Sequence, residues 1–187
     1  MPIRQKYNFI KGVLTMTEKE KQQAGELFDP HDRELTADRS NAKKLGDEYS
    51  AITYNDFLKR GRLLDRFIKM KGENVIIEPG FSCDYGYNII IGDNFFADRN
   101  CLIADSAEVI FGDNIFIGPN CSFITTFRPR DPETRNQGLL IAKPVKIGNN
   151  VDIGPCVTIM GGVTIGDNVV ITAGKVITED VPSGSVI

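Results

Sequence analysis

The chain's 187 residues include one histidine and no tryptophan, so carboxylates are the main candidates for acid–base chemistry. That histidine, His31, lies between Pro30 and Asp32 in a polar stretch and reads as an exposed residue. One imidazole cannot build a three-histidine zinc centre, so no metal site is expected. The four cysteines, Cys83, Cys101, Cys121 and Cys156, form no Cys-x-x-Cys pair. Most of them fall on apolar positions of a repeat, so all four are expected to be buried, reduced thiols in a cytoplasmic protein. Carboxylates such as Asp98 and Asp105 either hold turns between short strands or do acid–base work. Their spacing alone leaves both roles open.

The elements that position these groups are set by a period of six. Ile147, Ile153, Ile159, Ile165, Ile171 and Ile177 are six residues apart, and Val145, Val151, Val157, Val163 and Val169 each stand two residues earlier. Neither the helical nor the strand period sustains that spacing; a hexapeptide coil does. Upstream the pairing continues through Val75/Ile77, Phe81/Cys83, Ile89/Ile91, Phe95/Ala97, Cys101/Ile103, Val109/Phe111, Ile115/Ile117 and Cys121/Phe123. Two-residue insertions precede Ile89 and Val109, and a longer excursion runs from about Phe127 to Pro144. Glycine followed by Asp-Asn or Asn-Asn recurs after the pairs, as tight corners require. Three such strands form one triangular turn of a mainly β solenoid, whose core is buried only by stacking turn on turn.

Composition narrows the rest. A formal charge of −3 without a basic block argues against nucleic-acid binding, and no apolar tract is long enough to cross a membrane. Residues 1–15 form an N-terminal extension without the apolar run of a signal peptide. Residues 16–72 read as a helical cap with three helical stretches: one starting at Thr17-Glu18-Lys19-Glu20, one at about 35–49 and one at about 54–70. The last would place Phe57, Leu58, Leu64, Phe67 and Ile68 on one side. Residues 73–187 form the coil, with Glu73 to Val181 as its main body and an external loop at about 127–144.

Several strings go further than a generic repeat. "MTEKEKQQAGELF" begins the cap, "IEPGFSCDYGYNIIIGDNFFADRNC" opens the coil, and "RDPETRNQG" lies in the excursion. "KPVKIGNNVDIGPCVTIMGGVTIGDNVVITAGKVITEDVP" closes it. Together these resemble the maltose and galactoside O-acetyltransferases, over about residues 16–184. The resemblance implies a left-handed parallel β-helix, a homotrimer and acetyl-CoA as co-substrate. The acceptor would be a sugar or similar hydroxylated small molecule. It places Arg39, Asp84, Tyr85 and Asp105 on the acceptor side, with Asp98 as a catalytic candidate. Pro155, Ala173, Gly174 and Thr178 fall on the cofactor side. The family's loop carries a general-base histidine, and Arg128 stands at that position in Thr125-Thr126-Phe127-Arg128-Pro129. Arginine keeps its proton and cannot act as that base. Asp152 stands where the family has tryptophan, and Glu179 where a lysine meets the cofactor phosphates. These departures leave a second expectation open, a non-catalytic trimeric binding or scaffolding relative.

Overall fold

The computed structural model describes residues 8–10, 13–53 and 55–187, and side chains from residue 16 onward apart from residue 54. Most of the N-terminal extension lies outside the described residues; Asn8–Ile10 and Val13–Thr15 pair as an antiparallel hairpin. Helix α1 (Glu18–Ala24) begins at a reciprocal cap. The Thr17 hydroxyl accepts the Glu20 N–H at 3.2 Å, and the Thr17 N–H donates to the Glu20 carboxylate at 2.8 Å. Gly25, at φ 73°, closes the helix in the left-handed region that glycine tolerates best. Helix α2 (Arg33–Ser50) is capped by Asp32, and helix α3 (Phe57–Leu64) by Asp56.

The third helix is shorter than its stretch of sequence predicts. It stops at Leu64, and Phe67 and Ile68 turn inward at 6% exposure each before the first strand of the coil starts at Met70–Lys71. Phe57 and Leu58, expected on the inner side, are 53% and 77% exposed, while Arg60, Leu63 and Leu64 face inward. Tertiary packing overrides the helical pattern because these residues must close the open end of the coil. Leu45, Tyr49, Leu63, Leu64, Phe67 and Ile68 share one continuous core with Ile77, Phe81 and Ile89.

The solenoid is a left-handed parallel β-helix of three five-stranded sheets. The first sheet stacks Met70–Lys71, Ile89–Ile91, Val109–Phe111, Val145–Ile147 and Thr164–Ile165. The second stacks Val75–Ile77, Phe95–Ala97, Ile115–Ile117, Val151–Ile153 and Val170–Ile171. Ser82–Cys83, Leu102–Ala104, Ser122–Ile124, Thr158–Met160 and Val176–Ile177 make the third. Register is strict: Ile77, Ala97, Ile117, Ile153 and Ile171 form one inward column. The isoleucines of this column, buried to within a few per cent, each contribute about 1.5–3 kcal/mol. Phe95, Phe111 and Phe123 fill the axis edge-on, with centroids 5.1 and 5.0 Å apart. The ladder starts three residues before Glu73 and extends past Val181, which bridges Ile165, while Val186 bridges Val170.

Corners join the sheets. At the first corner, Asn74, Asn94, Asn114, Asn150 and Asn168 take φ between 55° and 58°. Their amides bond one another at 3.0–3.2 Å. At the second corner the equivalent column reads Gly80, Asn100, Asn120, Cys156 and Gly174, all at positive φ. Cys156 is therefore exposed rather than buried, because the corner turns its side chain outward. Cys83 is half-buried, and only Cys101 and Cys121 meet the expectation of full burial.

Candidate active site

The third corner breaks the pattern, and most of the predicted site residues gather there. The turn after Cys83 is enlarged, and Asp105 from the next coil fills it. Its carboxylate accepts backbone N–H bonds from Asp84 at 3.0 Å, Tyr85 at 2.8 Å and Asn88 at 3.3 Å. The Asn88 amide returns a bond to the Asp105 carbonyl at 2.7 Å. Asp105 is 0% exposed, so it has no surface to offer a ligand; it holds the turn that carries Asp84 and Tyr85. Burial lifts its carboxyl to about 7, against backbone hydrogen bonds that favour the ionised form.

The cap completes this corner. The Arg39 Nη1 donates to the Tyr85 hydroxyl at 2.6 Å, while Nη2 donates to the Pro30 carbonyl and, at 3.3 Å, to Thr36 Oγ1. Gln22, fully buried, also donates to the Tyr85 hydroxyl at 3.1 Å. Beside them, Tyr87 donates to Asp38 at 3.1 Å, and Lys19 bonds the same carboxylate at 2.7 Å. A small second core of Phe28, Leu35, Tyr85 and Ala142 ties cap, corner and excursion together. Paired Phe28–Leu140 backbone bonds of 3.0 Å stitch the excursion to the cap.

Between α2 and the first coil lies a cavity of about 480 Å³ whose lining includes Arg39, Lys43, Asp47, Ser82, Cys83 and Asp84. Arg39 and Asp84 line this one cavity, with cap and coil each supplying a wall. The Asp84 carboxylate has no hydrogen bond or ion pair among the described residues. Burial raises its pKa, and the nearby Arg39 charge opposes that rise. Burial also raises the Cys83 thiol and the Tyr85 phenol, which keeps both protonated. A carboxylate that is desolvated, unbonded and next to a cation can accept a proton from a bound hydroxyl.

The excursion leaves this same corner two coils further along. Thr126–Phe127 pairs antiparallel with Ile141–Ala142, and a short helix α4 (Pro132–Asn136) lies at its tip, capped by Asp131. Arg128 follows the ribbon directly and is exposed. Thr178 is exposed at this corner in the last coil, beside exposed Glu179.

The remaining predicted residues occupy the second corner, at the other end of the third sheet. Asp98 accepts the Arg99 N–H at 2.7 Å and lies 3.5 Å from its Nε. Pro155, Ala173 and Gly174 are exposed together, and the Gly174 N–H donates to the Pro155 carbonyl at 2.9 Å. A Cβ on Gly174 would meet nothing within 4 Å, so the surface above it is open. Within one chain, Asp98 does not meet Asp84 or Arg128. His31 is exposed and is not part of the cavity lining. Sequence reading missed Gln22, Asp38, Tyr87 and Asn88. Tyr87 and Asn88 are signalled only by the compact Asp-Tyr-Gly-Tyr-Asn string, which interrupts the six-residue spacing, and Gln22 and Asp38 by nothing in the spacing of the cap. No cluster among the described residues has the composition to hold a metal ion, and no helix among them is long and apolar enough to cross a membrane.

Comparison with known proteins locates this arrangement. Residues 144–179 match the family model described as bacterial transferase hexapeptide (six repeats), and residues 21–71 match the maltose acetyltransferase hexapeptide capping motif. Nodulation protein L of Rhizobium meliloti is 41% identical over 180 residues, which covers 92% of this chain and 94% of that protein. A solved galactoside acetyltransferase in complex with coenzyme A superposes with a TM-score of 0.87 at 40% identity, over 92% of this chain and 86% of its own. A maltose O-acetyltransferase from Clostridium difficile 630 gives 0.82 at 39% identity, covering 91% of each chain.

Proposed function

The chain belongs to the hexapeptide-repeat acetyltransferases of the maltose and galactoside type, and on that premise we propose that it transfers an acetyl group from acetyl-CoA to a hydroxyl of a sugar or similar acceptor. The observation that carries the reading is the cavity between α2 and the first coil, where Arg39 and an unbonded Asp84 converge. Arg39 and Asp84 hydrogen-bond the acceptor, with Tyr85 fixing Arg39. Asp84 takes the hydroxyl proton as the oxygen attacks the thioester carbonyl. The carbon–sulfur bond then breaks, and the departing thiolate takes the proton back from Asp84. Arg128, at the edge of the excursion, stabilises the developing oxyanion or holds an anionic acceptor. A base within hydrogen-bond reach contributes about 10²–10⁴-fold, so a raised-pKa carboxylate can replace a histidine at part of that advantage.

The second corner fits the cofactor arm. Pro155, Ala173 and Gly174 present exposed backbone and no bulk, which suits an extended chain lying against them. Thr178 lies across the third sheet, toward the phosphate end, where Glu179 weakens binding by like charge. A homotrimer would bring the second corner of one subunit, with Asp98, against the third corner of the next. The outer face of the second sheet supports assembly. Ile76, Phe96, Phe116 and Val170 form one outward row, with Ile76, Phe116 and Val170 at 40%, 54% and 38% exposure, broken by Asp152. Light scattering should give about three times the 20.7 kDa chain mass; a monomer would contradict the trimer. Free thiols at Cys101 and Cys121 suit a reducing, cytoplasmic setting.

The test is incubation with acetyl-CoA and a panel of sugars, followed by mass spectrometry. An alkali-labile acetyl ester on an acceptor supports O-transfer. Arg128 and Glu179 favour the second reading, a binding relative without turnover. Cofactor binding without any acetylated product would support it instead.

A further inference from the structure

Arg60 sits on α3 at 3% exposure, an unusual place for a charge. Its Nη2 donates to the Ile77 carbonyl, and its guanidinium carbon lies 4.9 Å from the centre of the Tyr49 ring. Tyr49 donates to that same carbonyl at 2.6 Å, so both lone pairs of the Ile77 oxygen are taken. Among the described residues, Nη1 has no hydrogen-bond partner and no carboxylate forms an ion pair with Arg60. A buried guanidinium cannot shed its charge, so the arrangement lacks an acceptor, and an anionic one is the best match.

A cavity of about 610 Å³ lies against this side chain, and Arg60 forms part of its wall. Phe57, Leu58, Leu64 and Ile76 give it apolar walls, and Glu73 and Asn74 line its polar side. Lys71, also in the wall, is engaged by Asp65 at 3.0 Å. Gly61 supplies the third observation. It lies inside α3 and lines the cavity, yet a Cβ there would meet nothing within 4 Å. Glycine is a poor helix former, and neither crowding nor a positive φ calls for it here. Its missing side chain leaves the cavity open. None of the lining residues is shared with the Asp84 cavity.

We infer that this seam between cap and first coil binds a small monocarboxylate with an apolar tail. The carboxylate meets Arg60 in a charge-assisted bond, and the tail lies along Phe57, Leu58 and Leu64. The assignment uses no part of the proposed acetyl transfer, so either can fail alone.

Isothermal titration calorimetry of the full chain with sodium octanoate, and separately with octanol, tests it. One saturable octanoate site per chain is expected, with octanol at least tenfold weaker. Gly61→Phe should weaken octanoate binding at least tenfold while leaving the circular dichroism spectrum unchanged, because the new ring occupies open space. Arg60→Met should remove the preference for octanoate over octanol. Absence of saturable binding overturns the proposal, as does equal binding of acid and alcohol, or full affinity in Gly61→Phe.

Discussion

Two corners of one coil use the same residue types to opposite ends. At the first corner, carboxylates and amides are consumed by the backbone: Asp93 accepts the Glu73 N–H at 2.7 Å, Asp113 accepts the Asp93 N–H at 2.8 Å, and the asparagine ladder stacks beside them. Every turn repeats its neighbour, so every polar group finds its equivalent one coil away. At the third corner, an enlarged turn, a cap and an excursion remove that equivalence. Asp105 is drawn inside to hold three N–H groups, and Asp84 is left unbonded in a cavity. Repetition satisfies polar groups; its interruption frees one for chemistry.

The sharpest way to break this comparison is to remove the group that supports the irregular corner. Asp105→Ala leaves two buried donors and one half-buried donor without an acceptor and should cost about 3 kcal/mol or more in urea denaturation. A loss no greater than at Asp93 would erase the distinction between the corners.

Acidity separates them next. The folded pKa of Asp105, about 7, lies above the unfolded value of about 3.9, so the native state holds more protons between those limits. Its contribution to stability is complete below about pH 4, declines as pH rises toward 7 and is absent above. Asp105→Asn should flatten that part of the stability–pH curve. A curve with the same slope in that variant would contradict the role given to the buried carboxyl.

The smallest effect belongs to the regular corner. Asn114→Gly keeps the positive φ and deletes two exposed amide bonds, of 3.0 and 3.1 Å, so about 1 kcal/mol or less is expected by denaturation. A cost matching that of Asp105→Ala would mean the ladder carries the fold.

The same contrast explains what the sequence disclosed. The inward columns were legible because each coil returns to the same position, so Ile147 to Ile177 print the core directly in their spacing. The corner asparagines were legible for the same reason. Cys156 was misjudged because it occupies a left-handed corner position, where its side chain points outward. The end of α3 was lost because Phe67 and Ile68 obey the open end of the coil rather than helical period. At the site, Arg39 and Asp84 could be named from the family likeness, and the structure brings them to one cavity. The burial of Asp105 could not be read, since its partners lie 17–21 residues earlier, in a turn whose size breaks the repeat.

The measurement that bears most directly on the central claim is CoA thiol release from acetyl-CoA with the sugar panel, for the unmodified chain and for Asp84→Asn and Arg128→His. The account predicts sugar-dependent release by the unmodified chain, lowered about 10²-fold or more in Asp84→Asn, with native stability. No release until Arg128→His restores it, or full release in Asp84→Asn, would contradict the assignment of the freed carboxylate as the base.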